Sequence, residues 1–186
     1  MLRTGQMVLM QAIRRHVFNN GNLLGMEELK EENTLTTYLQ LLCLFMDNPD
    51  SATSDDISNS PFGIHSIMRE AGATLKITPG KWFGPQMISV SLQNINNRVK
   101  PVEGFEIHVC LDGNIFLDKI LSKLSTGTSL LVLVPLRLGL TSIQQAYHTQ
   151  IKRIFSFSSS VGIAGGQDCM AYYLVGLDDA GSENIA

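Results

Sequence analysis

Three cysteines and four histidines are the residues of this 186-residue chain best suited to nucleophilic or metal chemistry. A thiolate can attack a carbonyl carbon and an imidazole can move the proton, provided the two side chains face each other within hydrogen-bond reach. The closest spacing is His108 and Cys110, in "FEIHVCLDG". Two residues apart on a strand point the same way, side by side rather than toward each other. A strand interior also offers no helix N-terminus to lower the thiol pKa. Cys43 sits between Leu42 and Leu44 in an apolar stretch and reads as a small core thiol. Cys169 follows "GGQD" in a loop, where it is either a reactive thiol or a spare one. His16, His65 and His148 fall in helical segments with no matching partner. No phosphate-binding glycine loop, dinucleotide-binding glycine motif, HExxH, paired CxxC or GxSxG occurs. Taken alone, these residues make no complete active site.

Trp82 is the only tryptophan and stands in "GKWFGP", between Gly80 and the Gly84-Pro85 pair. An aromatic on such a turn is either a recognition feature or a cap on the core.

The elements that must position these residues follow from periodicity. Leu2, Val8, Ala12, Ile13 and Val17 lie near helical spacing, so residues 1–18 are predicted as a helix. "TLTTYLQLLCLFMD" reads as a second apolar helix, and "FGIHSIMREAG" as a third, ended by Gly72. Residues 48–61 are rich in Ser, Asp, Asn and Pro and read as a flexible surface loop. Residues 86–96 are predicted helical, with Pro85 in the first turn. The character then changes. "FEIHVCLDG" alternates like a strand, "NIFLDKILSKL" is a short amphipathic helix with Asn114 as its cap, and "LLVLVP" is a buried central strand. Thr141 opens a capping-box pattern for a helix through "QAYHTQIKRIF". "SVGIAGG" and "AYYLVGL" are two strands joined by a turn around Gly165-Gly166, and "SENIA" begins another. The class is α+β, a helical half followed by a mixed sheet with packed helices.

Composition excludes some functions. With 44% hydrophobic and 17% charged residues the chain is globular, and a net charge of −3 does not suit a nucleic-acid binder. An odd number of cysteines fits a reducing compartment. No apolar run approaches the roughly 20 residues of a membrane span, and the start is too basic around Arg14-Arg15-His16 for a secretory apolar region. A cytoplasmic location is the expectation.

Three stretches, in order, carry a family likeness: "MLRTGQMVLMQAIRRH", then "SPFGIHSIM" with "GKWFGPQMISVSL", then "PLRLGL" with a helix, "VGIAGG" and an aromatic-rich strand. "HVCLDGNIFLDKI" matches more loosely. Together they resemble the autophagins, the autophagy-related cysteine proteases. The resemblance implies a papain-like fold, here a single partial peptidase domain over residues 1–186, truncated at both ends. It implies cleavage of a ubiquitin-like autophagy modifier after a C-terminal glycine, and release of the same modifier from phosphatidylethanolamine, with no metal or organic cofactor. The partner would be that modifier, as precursor and as lipidated form. In the family the first helix begins Gly-Trp-Gly-Cys-Met-Leu-Arg, so the nucleophile matches the position before Met1. The Asp-Pro-His motif would follow Ala186. Catalytic residues are therefore expected outside the chain, and inactivity of the chain alone follows. Substrate-contacting positions fall at Trp82 and at the gating loop, Gly166, Gln167, Asp168 and Cys169, where Asp168 stands at a position often occupied by proline. Two rival readings stand beside this one: a non-catalytic module that binds the modifier, and a structural or interaction domain unrelated to autophagy.

Overall fold

The computed structural model describes residues 1–18, 30–48, 57–78, 80–139, 142–167 and 170–177. Four helices come first: α1 (Leu2–Val17), α2 (Glu32–Cys43), α3 (Ile64–Leu75) and α4 (Pro85–Val99). Then follow β1 (Phe105–Val109), α5 (Leu117–Leu124), β2 (Ser129–Leu133), a 3₁₀ turn (Gln145–Tyr147), α6 (His148–Ser156), β3 (Ile163–Gln167) and β4 (Met170–Leu174). The α+β class is as expected. The strands form two separate pairs, β1–β2 parallel and β3–β4 antiparallel.

The core is built from the apolar stripe of α1. Leu9 and Ile13 are fully buried and cluster with Phe62 and Ile67 of the α3 region, Ile88, Leu92 and Ile95 of α4, and Phe105 and Ile107 of β1. Burial of side chains of this size is the main favourable contribution to folding, roughly 1.5–3 kcal/mol each. Gly5 lets α1 approach α4 closely: a Cβ there would overlap Ile88 Cγ1 and lie 3.2 Å from Ile88 Cδ1.

Beside the core, α4 supports the first sheet through polar side chains. Gly104 O accepts from Ser129 N of β2 at 2.8 Å, so the carbonyls of Phe105 and Ile107, by strand alternation, face the other way. Asn96 Nδ2 donates to Phe105 O at 3.3 Å and Gln93 Nε2 donates to Ile107 O at 3.0 Å. The outer edge of β1 is thus capped by two side-chain amides.

Several local expectations shift. Helix α3 runs through Gly72 and stops only where Lys76 turns left-handed at φ 57°, with Ile77 N returning to Ala71 O. Asn114 does not cap α5. Its N–H donates to Asp112 Oδ1 at 3.2 Å in a side-chain turn, and Phe116 takes the cap position. Only Ile120 of α5 is buried, leaving Leu117, Leu121 and Leu124 exposed along one face. The strand "LLVLVP" buries only Leu131, and one edge of β2 lacks a strand neighbour among the described residues. Thr141 lies outside the described residues, and α6 begins at His148 after the 3₁₀ turn. Of the stretch 48–61, residues 49–56 lie outside the described residues, while Ile57, Ser60 and Pro61 are buried. The segment "SENIA" is likewise outside them.

Candidate active site

The first turn of α1, the loop carrying Trp82 and the β3–β4 hairpin converge on one cleft of about 470 Å³. Its lining includes Met1 and Arg3 of α1, Met68 of α3, Trp82, Phe83 and Ala171 of β4. Local sequence explains the loop. Gly80 adopts φ 87°, a left-handed conformation that glycine takes without a steric penalty. Lys81 N donates to Thr78 O at 3.3 Å to close the turn, and Gly84-Pro85 starts α4 immediately after. Phe83 turns inward at 9% exposure, while Trp82 beside it stands 49% exposed. The loop is therefore anchored by one aromatic and presents the other to the cleft. Trp82 does not cap the core.

The hairpin enters through its register. Gly166 pairs with Ala171 and Gln167 with Met170. Gly165 and Gly166 are strand residues of β3 rather than a turn, and the pairing continues beyond them to Gln167. A Cβ on Gly166 would collide with the Met170 carbonyl oxygen, so the glycine serves close strand pairing. Its pair partner Ala171 lines the cleft. Asp168 and Cys169, the centre of the expected gating loop, lie outside the described residues.

Cysteine chemistry among the described residues is unfavourable. Cys110 is buried at 4% exposure just after β1, its N–H bound to Leu133 O at 2.8 Å. Burial, and then the nearby Asp112 carboxylate, push its thiol up, away from the thiolate a nucleophile needs. Cys43 is exposed at the end of α2 and not a core thiol, because α2 buries only Leu41. His16 is committed to structure, with Nδ1 2.8 Å from Ser129 Oγ and Nε2 2.9 Å from Glu103 O. Among the described residues no group of three or more His, Cys, Asp or Glu is placed to hold a metal ion, and no helix is long and apolar enough to cross a membrane.

A polar network behind the cleft carries no sequence signal, since its members come from separate segments. Arg3 Nη2 forms an ion pair with Asp47 Oδ2, and Arg3 Nη1 donates to Gln6 Oε1 at 3.2 Å. Gln6 Nε2 donates to Phe62 O at 2.6 Å, and Ile64 N donates to Asp47 Oδ1 at 3.0 Å. Partial burial raises the Asp47 pKa, but the Ile64 N–H and the Arg3 guanidinium outweigh it and hold the carboxyl below its ordinary value.

The family model of the peptidase C54 catalytic domain matches residues 1–182. The chain belongs to the peptidase C54 family, a family of cysteine proteases. It is 27% identical over 184 residues to a probable cysteine protease ATG4 of Debaryomyces hansenii, covering 95% of this chain and 34% of that protein. It is 32% identical over 134 residues to a probable cysteine protease atg4 of Schizosaccharomyces pombe, covering 72% of this chain and 38% of the relative. A cysteine protease ATG4 of Candida albicans is 30% identical over 133 residues, covering 67% and 30%. The chain thus spans about a third of the length of the curated relatives it matches.

Proposed function

We propose that this chain forms the cleft-bearing part of an autophagy cysteine protease that cleaves a ubiquitin-like modifier after its C-terminal glycine and releases the same modifier from phosphatidylethanolamine. The observation that carries this reading is the cleft itself. The start of α1, exposed Trp82 and the hairpin partner of Gly166 line one groove. On the family pattern the nucleophilic cysteine stands next to Met1, at the N-terminus of α1. There the helix dipole and free backbone N–H groups favour a thiolate. The thiolate attacks the scissile carbonyl carbon, and a histidine held by an aspartate protonates the leaving amine; water then releases the acyl-enzyme. On this reading the cysteine, aspartate and histidine come from sequence flanking residues 1–186, in a papain-like sheet larger than the two pairs described. The extended tail of the modifier would run past Trp82, with Gly166, Gln167, Asp168 and Cys169 on the opposite side. The reaction would take place in the cytoplasm.

A second reading, a module that holds the modifier without cutting it, is favoured by the combination of a formed cleft and unreactive Cys110. Both readings expect the purified 186-residue chain to leave the modifier precursor intact and to retain it in a pull-down. Glycine-specific cleavage that survives replacement of Cys110 and Cys169 together would overturn the placement of the nucleophile. Failure to retain the modifier would count against residues 1–186 as a modifier-binding surface on either reading. Cleavage by the protein extended to include Gly-Trp-Gly-Cys and Asp-Pro-His, with none after alanine replacement of that cysteine, separates the protease from the binding module.

A further inference from the structure

The first turn of α1 is held from outside the helix, and its own sequence works against it. Met1 makes no side-chain cap and the turn contains no acidic residue. It contains instead a cation, Arg3, at the end of the helix where the macrodipole disfavours positive charge. Asp47 supplies the missing anion across space, pairing with Arg3 through one oxygen while the other accepts the N–H of Ile64 at the start of α3. Gln6 ties the next turn to Phe62 O. These anchor points form one unit: Phe62 N donates to Leu44 O at 2.8 Å, and Gly63 packs so tightly that a Cβ would strike the Met46 carbonyl. Arg3 and Met1 line the cleft, so any fraying of this turn moves the cleft wall.

We propose that Asp47 is a positioning residue of this site: acting through Arg3, it fixes the first turn of α1, and with it the residue that precedes Met1, against the cleft lined by Trp82. The role given to that preceding residue rests on the protease reading above; the clamp itself does not. Without the carboxylate, Arg3 would be an unbalanced cation in the opening turn, held by Gln6 Oε1 alone beside the cleft it borders.

The two carboxylate oxygens have separate partners, so their roles can be separated. Asp47→Asn keeps an acceptor for the Ile64 N–H but removes the charge that holds Arg3. Trp82 is the chain's only tryptophan, so its fluorescence reports on the cleft in the 186-residue chain directly. Asp47→Asn and Arg3→Ala are each expected to leave the melting temperature nearly unchanged, shift Trp82 emission and raise its quenching by acrylamide. In the full-length protease each should lower kcat about tenfold, as small misplacements of reacting groups do, with KM little changed. The double variant should be no worse than either single one, because both remove one coupled pair. Unaltered Trp82 quenching, kcat at the wild-type level, or additive losses in the double variant would overturn the proposal. So would a kcat loss matched by a fall in melting temperature, the mark of a merely structural contact. If the wild-type full-length protein does not cleave the modifier, the protease reading fails, and the quenching series still decides whether Asp47 holds the cleft.

Discussion

Gly5→Ala is expected to destabilise the chain by about 2 kcal/mol, the middle of the range for overpacked cores. The sign is the opposite of what helix propensity gives. In an exposed helix interior the same change would stabilise by about 1 kcal/mol. Gly5, however, is buried where α1 meets α4, and the new methyl would occupy space held by Ile88 Cγ1, close to the branch point of a side chain that is itself 3% exposed. Ile88 must shift before the methyl can fit. For a chain of this size the loss corresponds to a fall of about 4–8 °C in melting temperature. Calorimetry or thermal circular dichroism checks it. Combining Gly5→Ala with Ile88→Ala should recover part of the loss, because the second change opens the volume that the first requires. Equal or higher stability in the single variant would show that the α1–α4 spacing is adjustable.

Trp82→Ala is expected to do the reverse: little to stability, much to function. A buried tryptophan cut to alanine costs about 3–5 kcal/mol of folding free energy. Trp82 is half exposed, and Phe83 anchors its loop, so most of that cost is absent. A large rigid aromatic at a binding surface contributes about 2 kcal/mol or more, which corresponds to roughly a thirtyfold loss in kcat/KM. In the full-length protease the variant should therefore melt near the wild-type temperature and turn over the modifier poorly. A large drop in melting temperature, with activity falling only in proportion to the unfolded fraction, would make Trp82 a structural residue.

The contrast between these two positions shows which features were legible in the sequence. Helices α1 and α4 were, because apolar spacing and Pro85 are local signals. So was β1, through its alternation, while Trp82 was singled out as a substrate contact only by family likeness. Gly5 gave no hint of its contact with Ile88, 83 residues away, and Gly165-Gly166 read as a turn because the sequence does not show the strand approaching from the other side. Asn114 and Gly72 were misread for a related reason. Each has the right residue type for a helix end, but Asp112 captured the first, and the left-handed Lys76 placed the stop beyond the second. Cys43 looked like core because its neighbours are leucines, yet α2 turns only Leu41 inward. The clamp of Arg3 and Asp47 spans 44 residues and has no periodicity to betray it.

The amides of Gln93 and Asn96 on β1 have a further consequence, for the stoichiometry of misassembly. A sheet with two open edges can recruit copies at both and grow without limit, whereas a sheet with one open edge can pair only once. With the Phe105 and Ile107 carbonyls already occupied by α4, the outer edge of β1 offers an incoming strand few free acceptors. Among the described residues the sheet is therefore one-sided: a strand added at β2 extends it, and β1 does not template a second.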